Sequence, residues 1–287
     1  MSQAVQAPPA GRLVEGPTAL GSDLRRFWLL SWTLAITEFK LRFFGSFLGY
    51  LWQLVRPLLL FAIIYVVFVS ILGVGGDQPR FGVALLLGIV IFQFFTDATA
   101  PAIRSIVLRE SLVRKVDFPR AAIPVACVIQ ALMNFLLNLI PVFIFLFAAG
   151  GKITWRWLEL PLIVAMLIVF VTGLALLLSA LFVRFRDVEP IWDVVMQALF
   201  YGTPILYSLS VVIDKAGIEA ARLMLVNPLA AAIQQARHAL VDVAYESPGQ
   251  IFGSTAGDLI PVAVSILAFL IGAWVFHRAA PRIAEEL

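Results

Sequence analysis

Six apolar stretches, over about 48–72, 81–100, 122–149, 158–183, 191–209 and 259–276, dominate this chain. Each is close to the ~20 residues that an α-helix needs to cross a hydrocarbon layer ~30 Å thick. Only 14% of the 287 residues are charged, against roughly 25% in a soluble domain, and the mean hydropathy is +0.97. A water-surrounded globule is thereby excluded. The expected fold class is an all-α integral membrane protein with six transmembrane helices, because a span must satisfy its own backbone groups.

An even number of spans puts both termini on one side, and the Lys and Arg positions choose which. With the termini inside, fifteen basic residues fall in inner segments, while Arg80, Lys152, Arg156, Lys215, Arg222 and Arg237 fall outside. That ratio favours cytoplasmic termini. The net charge of +3 and pI of about 9.2 form no basic stripe, so no nucleic-acid partner is expected. Cys127 is the single cysteine and His238 and His277 lie far apart, which leaves no intrachain disulfide and no metal constellation.

Residues 1–23 are polar and rich in Pro, Gly and Ala, without the basic-then-apolar order of a cleaved signal. They read as a disordered cytoplasmic tail ahead of one transmembrane domain, 24–287. The stretch 24–45 is too charged to span. It suits an amphipathic helix lying among headgroups, with Trp28 and Trp32 dipping below them; the alternative is a solvated start of the first span.

Two connections stand out. The inner loop PAIRSIVLRESLVRKVDFPR, 101–120, has an amphipathic helical pattern stopped by Pro119. The outer connection, 210–258, contains LMLV and PLAAAIQQARHALV, which are too short and too charged to span. They are read as two short helices dipping into the membrane from outside, the alternative being an ordinary folded surface loop.

No nucleotide-binding loop of the form G-x-x-x-x-G-K-[ST] exists: Gly150, Gly151 and Lys152 are followed by Ile153, and position 146 is Leu. Any ATP must therefore bind another chain. An ion-driven carrier would need deep charges, yet Arg56 and Asp97 both fall near inner helix ends. Arg56 either snorkels to the inner interface or meets a phosphate of a lipid-borne substrate. Asp97 is expected to pair with Arg104. Asp187, Glu189 and Asp193 accompany Arg184 and Arg186, which reads as a salt-bridged elbow rather than a transferase site.

Aromatic residues crowd spans one, two and five. Most would face lipid or other helices, but Trp52, Phe92, Phe95, Phe200, Tyr201 and Tyr207 could also line a path along which sugar C–H faces slide. In span five, Gly202, Thr203 and Pro204 break the helix and free backbone groups at a possible lumen.

The stretch FKLRFFGSFLGYLWQLVRPLL, the loop RESLVRKVDFPRAAIP, the elbow RFRDVEPIW, the TPILYS of span five and the later VNPL together resemble the ABC-2 type permeases, and within them the polysaccharide and teichoic-acid exporters of the Wzm and TagG type. The resemblance covers about 24–278. It implies a non-enzymatic permease subunit of the bacterial cytoplasmic membrane that forms a homodimer and pairs with two separate ATPase subunits. ATP and Mg would sit on that partner, with no cofactor on this chain. It further implies that Arg109, Glu110, Val113, Arg114, Lys115 and Phe118 form an ATPase-coupling segment, and that Trp28, Trp32, Gly202 and Pro204 belong to gates. The cargo would be a lipid-linked glycan such as O-antigen, teichoic acid, capsule or galactan, passing Trp52, Arg56 and the aromatics of spans two and five. An exporter of small hydrophobic molecules is the alternative within the family, against which the short loop GVGGDQPR counts. An ion-coupled secondary carrier would call for inverted repeats, which are absent.

Overall fold

The computed structural model describes residues 23–43, 49–73, 78–115, 119–281 and 283. Among them every regular element is helical. Helix α1 (Leu24–Phe43) is followed by α2 (Gly49–Ile64), which runs on as a π-helical stretch, Tyr65–Ile71. Next come α3 (Phe81–Arg104), a single 3₁₀ turn at Val107–Arg109, α4 (Glu110–Lys115) and α5 (Ala122–Ala148). A 3₁₀ turn at Trp155–Leu158 leads into α6 (Glu159–Arg184), and α7 covers Val188–Gly202.

Four short helices fill the next connection: α8 (Leu209–Ala216), α9 (Ile218–Leu225), α10 (Pro228–Ala236) with a π-helical extension at Arg237–Val241, and α11 (Pro248–Phe252). The last helix is α12 (Leu259–Ala279). Local chemistry sets the starts of α10 and α11. Asn227 caps α10 by accepting from Leu229 N at 3.0 Å, with Pro228 at the first helical position. Ser247 and Gln250 form a reciprocal capping box ahead of α11.

Among the described residues five helices are long and apolar enough to cross a membrane: Leu51–Ile71, Phe81–Arg104, Ala122–Ala148, Trp155–Arg184 and Leu259–Ala279. The stretch expected as a fifth of six spans, 191–209, differs. Helix α7 stops at Gly202 after 15 residues, about 22 Å of rise at 1.5 Å per residue. Thr203 turns to extended backbone, as a residue before proline tends to, and Pro204 brings no N–H to continue the ladder.

Helix α3 is the centre of the molecule. It packs on α5 and α6 and meets α2, α7 and α10, and 72% of its most apolar window is buried, against 17% for the α2 span. The core joins Leu85, Ile89 and Phe94 of α3 to Phe135 of α5, Val171 of α6 and Ile233 of α10. The connection between α7 and α12 is thus drawn into the main core rather than lying over it. A second cluster gathers Phe27, Ile106, Val113, Ile123, Val183 and Phe276 at the opposite end. Helices α6 and α12 form the most extensive helix pair and cross at Gly173 and Gly272, whose backbones touch.

Candidate functional site

At the end where α3 and α6 terminate, α1 lays Phe27, Ser31 and Ala35, four residues apart, against the bundle. Trp28 and Trp32 point away and are more than half exposed. Arg109 ties α1 to the segment after α3: its guanidinium pairs with Glu38 and also donates to Ser105 O at 3.1 Å. Val113 is buried in the second cluster, whereas Leu108 and Ser111 are exposed and Glu110 half-buried. The side chains of Arg114 and Lys115, with Phe118, lie outside the described residues.

The charged elbow is wired differently from the sequence expectation. Arg104 pairs with Glu189 at the start of α7 rather than with Asp97, because Arg104 sits at the helix end facing that elbow. Arg184 and Arg186 lie over the rings of Phe185 and Phe182, at 5.4 and 5.0 Å. Trp192 Nε1 donates to Thr99 Oγ1 at 3.2 Å, which fastens α7 to α3 above the ion pair.

The aromatics divide by surroundings. Phe92 meets Phe200 edge-on at 5.1 Å, and Phe200 meets Tyr201 at 5.3 Å. Tyr201 is 66% exposed, and its carbonyl accepts from Tyr207 Oη at 3.0 Å. Trp52 and Arg56 are exposed on α2, and Gly202 is exposed at the end of α7. Phe95 differs from its expected place on a path. It is enclosed by Phe170 and Trp192, with ring centroids 5.8 and 6.1 Å away, and belongs to the core of this chain. Pro204 is buried as well.

Sequence reasoning counted Arg237 only as an outer cation. In the fold it is fully buried at the start of the π-helical turn and spends its donors on main-chain carbonyls. Its Nη1 reaches Pro204 O at 2.5 Å and Tyr207 O at 3.4 Å, Nη2 reaches Ile205 O at 2.8 Å, and Nε reaches Ala84 O at 3.2 Å. The carbonyls of Pro204, Ile205 and Tyr207 are ones that the break after Gly202 leaves without helical donors, and Ala84 belongs to the first turn of α3. Gly88 makes room, since a methyl there would stand 3.2 Å from Nη2. Burial pulls the guanidinium down to about 10, which leaves it protonated at neutral pH. The available signal was an arginine in the apolar run AAAIQQARHALV, where a charge has to be solvated by the protein.

Nearby, His238 donates from Nδ1 to Tyr245 O at 2.6 Å and accepts from Arg156 at Nε2, which defines the neutral Nδ1–H tautomer. Tyr245 Oη donates to Pro79 O at 3.1 Å. Arg80, at φ +52° just before α3, binds Asp242 at 2.8 Å and Val241 O at 3.0 Å, and also reaches the carbonyls of Ala149 and Gly150. The Gly150–Lys152 turn is thus a joint between α5 and the π-helical turn, not a phosphate cradle.

One prediction concerns the Glu38–Arg109 pair. Arg109→Glu should lower the thermal midpoint of the purified protein and speed proteolysis at α1, and the exchange Glu38→Arg with Arg109→Glu should recover most of the loss. Both groups are partly exposed, so the pair contributes about 1 kcal/mol or less. A swap no more stable than the single variant would remove the pair from what holds α1.

Long apolar helices, a helix broken and re-satisfied inside the core, and a charged end carrying an attached surface helix define a multi-pass membrane protein. The chain belongs to the ABC-2 type transporter family, whose model matches residues 30–241. It is therefore a transporter subunit rather than an enzyme. It is 29% identical over 258 residues to an O-antigen export system permease protein RfbA of Klebsiella pneumoniae, covering 87% of this chain and 92% of the relative. It is also 31% identical over 198 residues to a protein of that name from Myxococcus xanthus, covering 69% of this chain and 74% of the relative.

Proposed function

We propose that this chain is the permease subunit of an ATP-driven exporter that carries a lipid-linked polysaccharide of the O-antigen kind out of the cytoplasm. The observation that carries this reading is the near full-length similarity to permeases named for O-antigen export. Two copies form the pathway and two copies of a separate ATPase drive it from the cytoplasmic side. The protein sits in the bacterial cytoplasmic membrane with both termini inside. ATP and Mg bind on the ATPase, which supplies the hydrolysis; this chain's residues transmit movement and line the path.

Several features support the arrangement. The exposed apolar residues of α2, with Leu51, Trp52, Leu59 and Ile63, and of α7, with Ile191, Val194 and Tyr201, sit on two helices that both pack on α3, and they offer surface to a second copy. The path is lined by Trp52, Phe92, Phe200, Tyr201 and Tyr207, aromatic surfaces suited to a sliding glycan, with Arg56 for a lipid phosphate. In this reading α7 and the turn after it form the sixth crossing. The helices α8 to α10 then return into the outer half of the membrane, with Gly202 and Pro204 at the bend. Trp28 and Trp32 anchor α1 among headgroups as a side gate. The segment from Arg109 to Phe118, including Glu110, Arg114 and Lys115, seats in the ATPase, while Val113 holds it to the bundle. The short loop 73–80 favours a polymer over a small hydrophobic cargo.

The test is co-purification from the native membrane with an ATP-binding-cassette ATPase of the same cell, together with surface polysaccharide in a deletion strain. Leu108→Glu with Ser111→Arg, both at exposed positions, should abolish the complex and surface glycan while leaving the permease inserted and folded. Wild-type glycan display by that variant would remove the coupling segment from the mechanism. A permease that never associates with an ATPase would overturn the whole reading.

A further inference from the structure

Asp97 lies inside α3, about two helical turns before its end, and has no cationic partner among the described residues. Its Oδ1 accepts from Gln93 Nε2 at 2.8 Å and its Oδ2 from Asn134 Nδ2 at 3.4 Å. Amide donors soften a carboxylate's charge but do not balance it. Glu38, the other acid at this place, is already neutralised by Arg109.

Both acids line one cavity of about 270 Å³ between α1, α3 and α5, together with Pro101, Gln130 and Asn134. Asn134 is 1% exposed and, having turned its Nδ2 to Asp97, leaves Oδ1 buried without a partner. Pro101 has no N–H, so the main-chain carbonyl of Asp97, four residues earlier, loses its helical donor. An amide-bound carboxylate and an unsatisfied amide oxygen thus belong to residues of the same cavity.

We propose that this cavity binds one monovalent alkali cation, held by the Asp97 carboxylate and by Asn134 Oδ1 once the amide turns over and brings that oxygen, in place of Nδ2, beside Asp97. Oxygen donors without nitrogen or sulfur select a hard cation. Among the described residues the lining carries one uncompensated negative charge, which a single positive charge cancels and a divalent ion would over-compensate. A charged carboxylate among membrane helices is otherwise costly, and it repels a phosphate headgroup from the same space. The bound ion joins α3 to α5 next to the Glu38–Arg109 pair.

The full-length permease in lipid nanodiscs supplies the test, at constant ionic strength with choline chloride exchanged for sodium or potassium chloride. The wild type should show a saturable rise in thermal midpoint with one of the alkali ions, and should retain that ion, radiolabelled, in equilibrium binding. Asp97→Asn should lose both responses and melt alike in all three salts. Asn134→Leu keeps the charge and should weaken the apparent affinity by about tenfold, as expected for one buried polar ligand. A wild type that melts identically in choline and binds no alkali ion overturns the proposal. Alkali binding that survives unchanged in both Asp97→Asn and Asn134→Leu places the ion elsewhere and overturns it equally.

Discussion

Gly272→Val is expected to leave almost no folded permease in the membrane. Helices α6 and α12 form the most extensive pair in the fold, and at their crossing a side-chain carbon on Gly272 would run into the Gly173 carbonyl. The reverse substitution, Gly173→Val, would strike the backbone of Ala268 and Phe269. Both obstacles are main chain, which cannot swing aside as a flexible side chain can. In a bilayer no hydrophobic force pulls helices together, so close backbone approach supplies much of the attraction. Ordinary overpacking costs about 1–3 kcal/mol, and forcing two backbones apart should exceed that range, a large share of the ~5–15 kcal/mol that holds a typical domain. Fluorescence-detected size exclusion would show it as lost monodisperse protein. Gly202→Ala is the matched control, since nothing lies within 4 Å of its added carbon. A Gly272→Val protein with a wild-type profile and thermal midpoint would refute the crossing as described.

Arg237→Met is expected to be nearly as damaging, for an electrostatic rather than a steric reason. The guanidinium serves the carbonyls of Ala84, Pro204, Ile205 and Tyr207 from a fully buried position. Methionine fills similar space but donates nothing. Each stranded acceptor costs about 1–3 kcal/mol, so the total should reach on the order of 5 kcal/mol. The turn after α7 would part from α3, and polysaccharide export in a complementation assay should fall to background. Arg237→Lys keeps the charge but not the planar fork, and should recover only part of the loss. Gly88→Leu presses on the same guanidinium from α3 without changing it, and should reproduce a milder form of the defect. Full export and unchanged melting in Arg237→Met would show that the turn holds itself.

Much of this architecture was legible in the order of residues. Helices α3, α5, α6 and α12 fall within a few residues of the apolar stretches expected at 81–100, 122–149, 158–183 and 259–276, because hydropathy is a local property. Thr203–Pro204 marked the break in the fifth stretch, although not that it would cut the helix to 15 residues. Phe95 could not be told from Phe92 by type or spacing. Only the packing of Phe170 and Trp192 encloses the first and leaves the second half-exposed. Likewise Arg104 was expected by sequence to pair with Asp97, and the approach of α7 to the end of α3 gave it Glu189 instead.

By itself the sequence determined that this is a helical membrane protein, where most helices run and, through its motifs, the family to which it belongs. These follow from apolar run length, proline and glycine positions and charge distribution, all of which act along the chain. The tertiary structure alone decided that Arg237 is a buried clamp, that Gly173 and Gly272 touch, and that Asp97 shares a cavity with Asn134 and not an ion pair with Arg104. Each of those facts joins residues from different helices. Their energies come from desolvation and close contact, which exist only once the helices have met.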